Sequence, residues 1–438
     1  MKFRRIALAA ALGAALGCAN AADLLAIYRD SQVSDPVYQS ARAAYNASLE
    51  KLPQARSAYL PLISGAATIF RNEVDRDIAP NLSYNTTLYS ISLSQPIFRL
   101  QSWIAIDQAK QQVIQAEATL AGSQQDLILR VSQAYFDVLL AQDNVALSET
   151  QNNAISEQLA QAKRNFEVGT ATIVDTLEAQ ARYDQTVAKS ISDKNDLEVK
   201  KSALQVLIGK LPEGLTPLRE PLTLGIPQPN DIEAWVKASQ DSSYVVAIAK
   251  ASYEFFREEV DRQRAGHLPT LDLTGNFARS SNPQSAVPGA LGAITNAGVV
   301  GLQLAVPIYS GGLTQSRVRE ALANRERAAQ DLDNTQRSVA QSVRTNFFNV
   351  TSGIAQVRAL EQALASTQSQ LDSTILGRDV GVRTSVDVLN AQQSVFQTRR
   401  DLQQARYNFL LSNLRLKAAA GILTETDLDD VNRTLARG

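Results

Sequence analysis

The period of apolar and polar positions switches four times along the chain. Residues 23–58 run in a helical pattern with few breakers. Pro61 interrupts that pattern, and strand-like sequence follows at 62–71. A polar loop at 72–83 leads to YNTTLYSISLSQPIF, where Tyr89, Ile91 and Leu93 alternate with Ser90, Ser92 and Ser94. The alternation returns later. Leu271, Leu273 and Phe277 interleave with Asp272, Thr274 and Asn276, and Val300, Leu302, Leu304 and Val306 with Gly301, Gln303 and Ala305. Period two marks half-buried strands. Four strands of about ten residues are predicted, the length that a tilted strand needs to cross a bilayer. The glycine-rich PGALGAITNAG at 288–298 reads as a mobile external loop between two of them.

Between the strands the pattern is helical and very long. From 99 to 167 there is no proline, and Gly122 is the only glycine. Leu127, Val131, Ala134, Val138, Ala141 and Val145 recur at spacings of four and three. The frame resumes at Ile155, Leu159, Ala162 and Phe166, the seam of helices packed at a shallow angle. Such a helix is about 100 Å long at 1.5 Å per residue. A matching segment spans 313–379, its seam weakened at Asn346 and Gly353. Pro61, Pro96, Pro269 and Pro307 mark the four changes between helix and strand. Proline lacks an N–H and continues neither ladder, so ordinary strand termination and one repeated junction design both account for them.

The chain repeats itself. GTATIVDTLEAQ at 169–180 returns as GVRTSVDVLNAQ at 381–392, with seven of twelve positions identical. QPIFRLQSW at 95–103 answers VPIYSGGLT at 306–314, and DLLAIYRDSQ at 23–32 answers DIEAWVKASQ at 231–240. We therefore divide the chain into a first repeat at 22–210, a Pro-rich linker at 211–230, a second repeat at 231–423 and a tail at 424–438. Within the repeated phrase, Gly169 and Gly381 sit where a helix C-cap wants positive φ. Thr172 and Thr384 fit N-caps, and Asp175 and Asp387, three residues on, complete capping boxes. Each phrase thus turns one helical hairpin, and that role alone accounts for both aspartates.

Composition narrows the class. With 438 residues and 45% hydrophobic content the chain has ample material for folded structure, and a net charge of −1 gives no basic footprint for nucleic acid. The start, with Lys2, Arg4 and Arg5 before IALAAALGAALG and Ala19-Asn20-Ala21, reads as a secretory signal peptide over 1–21. Cys18, the single cysteine, leaves with it; in a competing reading ALGC is a lipoprotein site and Cys18 becomes a lipidated N-terminus. No later stretch reaches the ~18 apolar residues of a spanning helix, so any membrane passage falls to β-structure. Four strands cannot close a barrel and open edges are not tolerated in lipid, so several chains would have to share one. A soluble sandwich would show the same alternation. His267, the single histidine, precedes a strand proline, and no phosphate loop or metal-ligand cluster appears, so neither an enzyme nor a cofactor is expected.

DVGVRTSVDVLNAQ, the following ARYNFLLSNLRLKAAAGIL, the QPIF and VPIYSGG junctions and the internal duplication together resemble TolC-type outer-membrane efflux proteins. The resemblance covers nearly the whole mature chain and is most specific over 378–423. It implies a mainly α protomer with membrane β-structure. Three copies would form a twelve-helix α-barrel across the periplasm and a twelve-stranded β-barrel in the outer membrane. It implies an exit duct for drugs or secreted proteins, fed by an inner-membrane efflux or secretion transporter through a periplasmic adaptor. It makes the repeated turn a periplasmic tip that closes the pore. Asp387 then matches a constricting aspartate ring, and Asn390 stands where a second aspartate is usual. Arg383 matches an arginine that ties the closed tip to the neighbouring hairpin, and Asp175 matches its acidic partner. Arg378 replaces a gate tyrosine and is placed to pair with Asp175, whereas Val174 replaces a threonine. Gly169 and Gly381, with Thr172 and Thr384, would also meet the adaptor's hairpins, since a residue without Cβ permits close approach. The rival from another class is a periplasmic coiled-coil adaptor or scaffold. Aromatics near the strand ends (Phe70, Phe98, Phe277, Tyr309) suit lipid interfaces and favour the duct.

Overall fold

A computed structural model describes residues 22–75, 77–78, 80–212, 214–284 and 291–435. The expected signal segment at 1–21, its expected cleavage site and Cys18 lie outside them. In chain order the elements are α1 (Leu24–Ser34), α2 (Pro36–Leu49), α3 (Lys51–Ser57), β1 (Leu62–Val74), β2 (Leu82–Phe98), α4 (Leu100–Glu167) and α5 (Ile173–Ile208). After them come α6 (Ile232–Ser242), α7 (Tyr244–Arg264), β3 (Thr270–Gln284), β4 (Leu291–Ala305), α8 (Leu313–Asp379), α9 (Ser385–Ala419) and α10 (Glu425–Asn432). The fold is mainly helical, with α4 of 68 residues and α8 of 67. None of the described helices is apolar enough to cross a membrane.

Three expectations change. The helical stretch 23–58 is three helices: Pro36 forces Asp35 into extended backbone (ψ 116°) between α1 and α2, and a one-residue turn at Glu50 separates α2 from α3. The strands run to 13, 17, 15 and 15 residues. Asn72, Glu73 and Val74 extend β1 into the expected loop at 72–83, and Leu82 and Ser83 already belong to β2, because the backbone ladder continues whatever the side chains are. Of the expected loop at 288–298, Leu291–Gly298 pairs with β3 as strand, its small residues fitting the ladder; the rest lies outside the described residues.

The chain divides into two compact units, and neither is one of the sequence repeats. One comprises the stretch up to Gln39, Gln124–Trp235 and everything from Val343. Its core joins Leu24, Ile27 and Tyr28 of α1 to Leu127, Val131 and Tyr135 of α4, Leu204 of α5, Leu414 of α9 and Leu428 of α10. The proline-rich connection is fastened there: Ala22 N donates to Gly214 O at 2.8 Å, Arg219 N to Thr434 O at 2.9 Å, and the Tyr135 hydroxyl to Thr216 O at 2.9 Å. Close to the α1–α2 break, Arg130 Nη2 meets the buried Asp35 Oδ2 at 2.8 Å.

The other unit, Ser40–Ser123 with Val236–Ser342, holds the strands and packs small residues such as Ala109, Ala251 and Ala321 between its helices. Its strands form one antiparallel sheet in the order β1-β2-β3-β4. The register lines up one apolar face. Gly65 opposes Ile91, Ile91 opposes Phe277, and Leu273 opposes Leu302, while Ser64, Ser92, Asn276 and Asp272 share the other face. The apolar face is open: Ile63, Ile91, Phe277, Val300 and Leu302 are all more than half exposed. Among the described residues β1 and β4 are edges, each with a row of backbone groups unpaired on its outer side.

Candidate functional site

Each long hairpin turns by the same local chemistry. At the first, Gly169 takes φ +76°, which a residue with a Cβ rarely adopts. Its N–H donates to Phe166 O at 3.0 Å, and Thr170 N donates to Asn165 O at 2.8 Å, the paired bonds of a Schellman cap. Gly381 repeats this with φ +78°, Gly381 N on Arg378 O at 3.0 Å and Val382 N on Gly377 O at 2.8 Å. The next helix begins at once. Thr172 Oγ1 accepts from Asp175 N at 3.2 Å, while Asp175 Oδ2 accepts from Thr172 N at 2.9 Å and from its hydroxyl at 2.7 Å. Thr384 and Asp387 form the same box at 3.2, 3.0 and 3.0 Å.

The boxes also set charge. The Thr172 hydroxyl, then its N–H, hold the Asp175 carboxyl below the usual carboxylate range. Asp387 is lowered by the Thr384 N–H and hydroxyl, with the charge of Arg383 adding least. Both aspartates are therefore ionised at neutral pH at sites that remain open to solvent.

The other expected residues are placed as follows. Arg378 turns to its neighbour, with Nη2 2.8 Å from Asp379 Oδ1, and Asp175 spends its hydrogen bonds on Thr172. The Arg378–Asp175 pairing is thus not made within the chain, because a carboxylate one residue away is nearer. The Arg383 stem lies over Gly377, where an added Cβ would stand 2.8 Å from Arg383 Cγ. Asn390 Oδ1 accepts from Arg182 Nη2 of α5 at 3.0 Å. The two hairpins lie side by side here: Gln158 of α4 donates to Gln392 of α9 at 2.7 Å. Gly377, Asp379 and Arg182 were missed in the sequence; the visible signal was a glycine four positions before Gly381 inside a helix.

The four prolines flank the sheet. Pro61 and Pro269 directly precede β1 and β3, and Pro307 follows β4. Pro96 is buried within the last residues of β2, opposite Asp272, where the register shifts before Phe98 meets Leu271. Arg99 then reaches Asp272 with Nη2 at 3.1 and 2.9 Å.

A four-stranded sheet with an open apolar face and two unpaired edges, on a chain with two very long helical hairpins, defines a class: subunits of outer-membrane channels. Comparisons with known proteins agree. The chain is 35% identical over 426 residues to the outer membrane protein TolC of Vibrio cholerae, covering 97% of each. It is 29% identical to the alkaline protease secretion protein AprF of Pseudomonas aeruginosa, covering 95% of this chain and 88% of the relative. Its fold matches crystal structures of CusC (TM-score 0.80, 17% identity, 91% and 92% covered) and of the Campylobacter jejuni CmeC outer-membrane channel (0.77, 16%, 94% and 90%). The chain belongs to the outer membrane efflux protein family, whose profile matches residues 27–210 and 235–422. It is an outer-membrane efflux or secretion channel protein and not an enzyme.

Proposed function

We propose that three copies of this chain assemble into one exit duct with a gate at the hairpin turns. The open sheet carries the reading. Its apolar face suits lipid, but β1 and β4 would expose unpaired backbone there, at several kcal/mol per group in hydrocarbon. Pairing β4 of one copy with β1 of the next closes the ladder, and three copies give twelve strands. The two repeats, 22–210 and 231–423, would each supply two strands and one long hairpin to that assembly.

At the turns, Asp387 would form a ring of three ionised carboxylates that attracts cations and narrows the pore. Asn390 would add a polar ring without charge. Arg383, Arg378 and Asp175 would tie neighbouring hairpins of the closed trimer. Gly169, Gly381, Thr172 and Thr384 would form the surface for the hairpins of a periplasmic adaptor, which recruits an inner-membrane transporter. Relatives named for protease secretion and for efflux support both cargo classes.

The test is the mass of the protein extracted from outer membranes in mild detergent, corrected for bound detergent. A mass of three chains is expected. A single-chain mass, or absence from the outer membrane, would overturn the duct and favour a periplasmic adaptor or scaffold.

A further inference from the structure

Beside the proposed gate lies a cation that none of the resemblance-implied ties includes. Arg182 of α5 donates from Nη1 to Gln393 Oε1 at 2.9 Å and from Nη2 to Asn390 Oδ1 at 3.0 Å. Its two acceptors are three residues apart and so share one face of α9, which a planar guanidinium fork can span. Guanidinium only donates, so both amides must present their oxygens to it. The bridge crosses between hairpins, since Arg182 follows the first turn and its acceptors follow the second.

Two observations make this more than an incidental surface contact. A cavity of about 170 Å³ lies alongside, lined by Ile155 of α4, Arg182 and Thr186 of α5, and Leu389 and Phe396 of α9. The rest of its lining is polar or charged (Gln151, Gln185, Lys189, Gln393, Gln397 and Arg400), so at this level the hairpins face each other largely through polar side chains, and the bridge joins them there. The bridge is also one-sided. At the positions 212 residues away, the duplicated sequence has Ser394 for Arg182 and Glu178 for Asn390. The Ser394 hydroxyl is spent on the Asn390 carbonyl at 3.1 Å. The duplicated position thus returns no cation, and the arginines of the second hairpin reach the first elsewhere, Arg400 lying 3.8 Å from Asp193 of α5 and Arg415 donating to Gln133 of α4 at 2.9 Å.

We propose that Arg182 is a latch: a positioning residue that holds the second hairpin of each protomer to the first and thereby limits opening of the tip. The proposal rests on the reading of the turns as a gate. Because both acceptors are neutral, the latch holds without ion pairing, and the guanidinium keeps its charge next to the Asn390 ring.

The test is single-channel recording of the intact trimer in planar bilayers. Arg182→Ala is expected to raise the frequency of full-conductance openings about tenfold, the effect of losing hydrogen bonds from one charged group. Arg182→Lys, with a compact ammonium in place of the fork, should give a smaller rise. Asn390→Asp supplies the converse. It turns one bond into an ion pair, so openings become rarer with Arg182 present than in the Arg182→Ala background, where the added carboxylates have no cation across the hairpin. A role in folding alone would not produce that dependence. Arg182 is partly exposed, and recovery of each variant as a three-chain particle checks assembly. If Arg182→Ala gates like the parent while Arg383→Ser opens the channel, the latch is wrong and the gate reading stands. If Arg383→Ser and Asp387→Ala both leave the channel unchanged, the gate reading fails and the latch falls with it.

Discussion

Arg99 clasps Asp272 with one guanidinium nitrogen on both carboxylate oxygens, at 3.1 and 2.9 Å, directly after the β2 register shift. Pro96 breaks the ladder there, and the ion pair refastens the end of β2 to β3. Asp272 is largely shielded whereas Arg99 is more open, so the pair is worth about 1 kcal/mol. Asp272→Ala should therefore lower the temperature at which the detergent-solubilised assembly dissociates. An unchanged midpoint would mean that the strand pairing alone holds the junction.

Asp35 and Arg130 give a pH signature. Hydrogen bonding from Arg130 holds the Asp35 carboxyl below its ordinary value against the opposing effect of burial. A lowered folded-state pKa contributes stability that is fully present above the unfolded value of about 3.9 and is lost as pH falls through the folded pKa. Asp35→Asn should thus cost about 1–3 kcal/mol near neutral pH, and its deficit against the parent should shrink in acid. Thermal unfolding of both proteins across that range measures it; a deficit that stays constant with pH would assign Asp35 to packing instead.

The gate reading predicts opposite signatures for two residues. Asp387→Ala removes a ring of charge and should weaken block of single-channel current by divalent cations. Unchanged block would remove Asp387 from the constriction. Arg383→Ser should raise resting conductance, and no rise would mean that another contact holds the tip shut.

Gly377 should matter through Arg383. A Cβ at Gly377 would stand 2.8 Å from Arg383 Cγ, closer than such atoms approach, so the arginine stem must move. Alanine is the better helix former at position 377 by about 1 kcal/mol, so the fold tolerates the change. Gly377→Ala should therefore leave thermal stability intact and raise resting conductance in the same direction as Arg383→Ser. Parent-like conductance would show that the Arg383 stem is free to settle elsewhere without loss.

Much of the architecture follows from local chemistry and was legible in the residues. Period two at 84–98 and 270–277, the unbroken helical run at 99–167 and the capping phrases around Gly169 and Gly381 each depend on neighbours in sequence, so the sequence alone determined them. Strand ends were less legible, because backbone pairing between β1 and β2 continues through Asn72–Val74 once the hairpin is set. The tertiary structure decided which residues meet across elements. Arg378 chose Asp379 over Asp175, Arg383 found room over Gly377, and Arg182 reached Asn390 from 208 residues away. Such contacts depend on how two helices are rotated and how closely they approach, and the apolar period of a single helix sets the buried face without setting its partner's register.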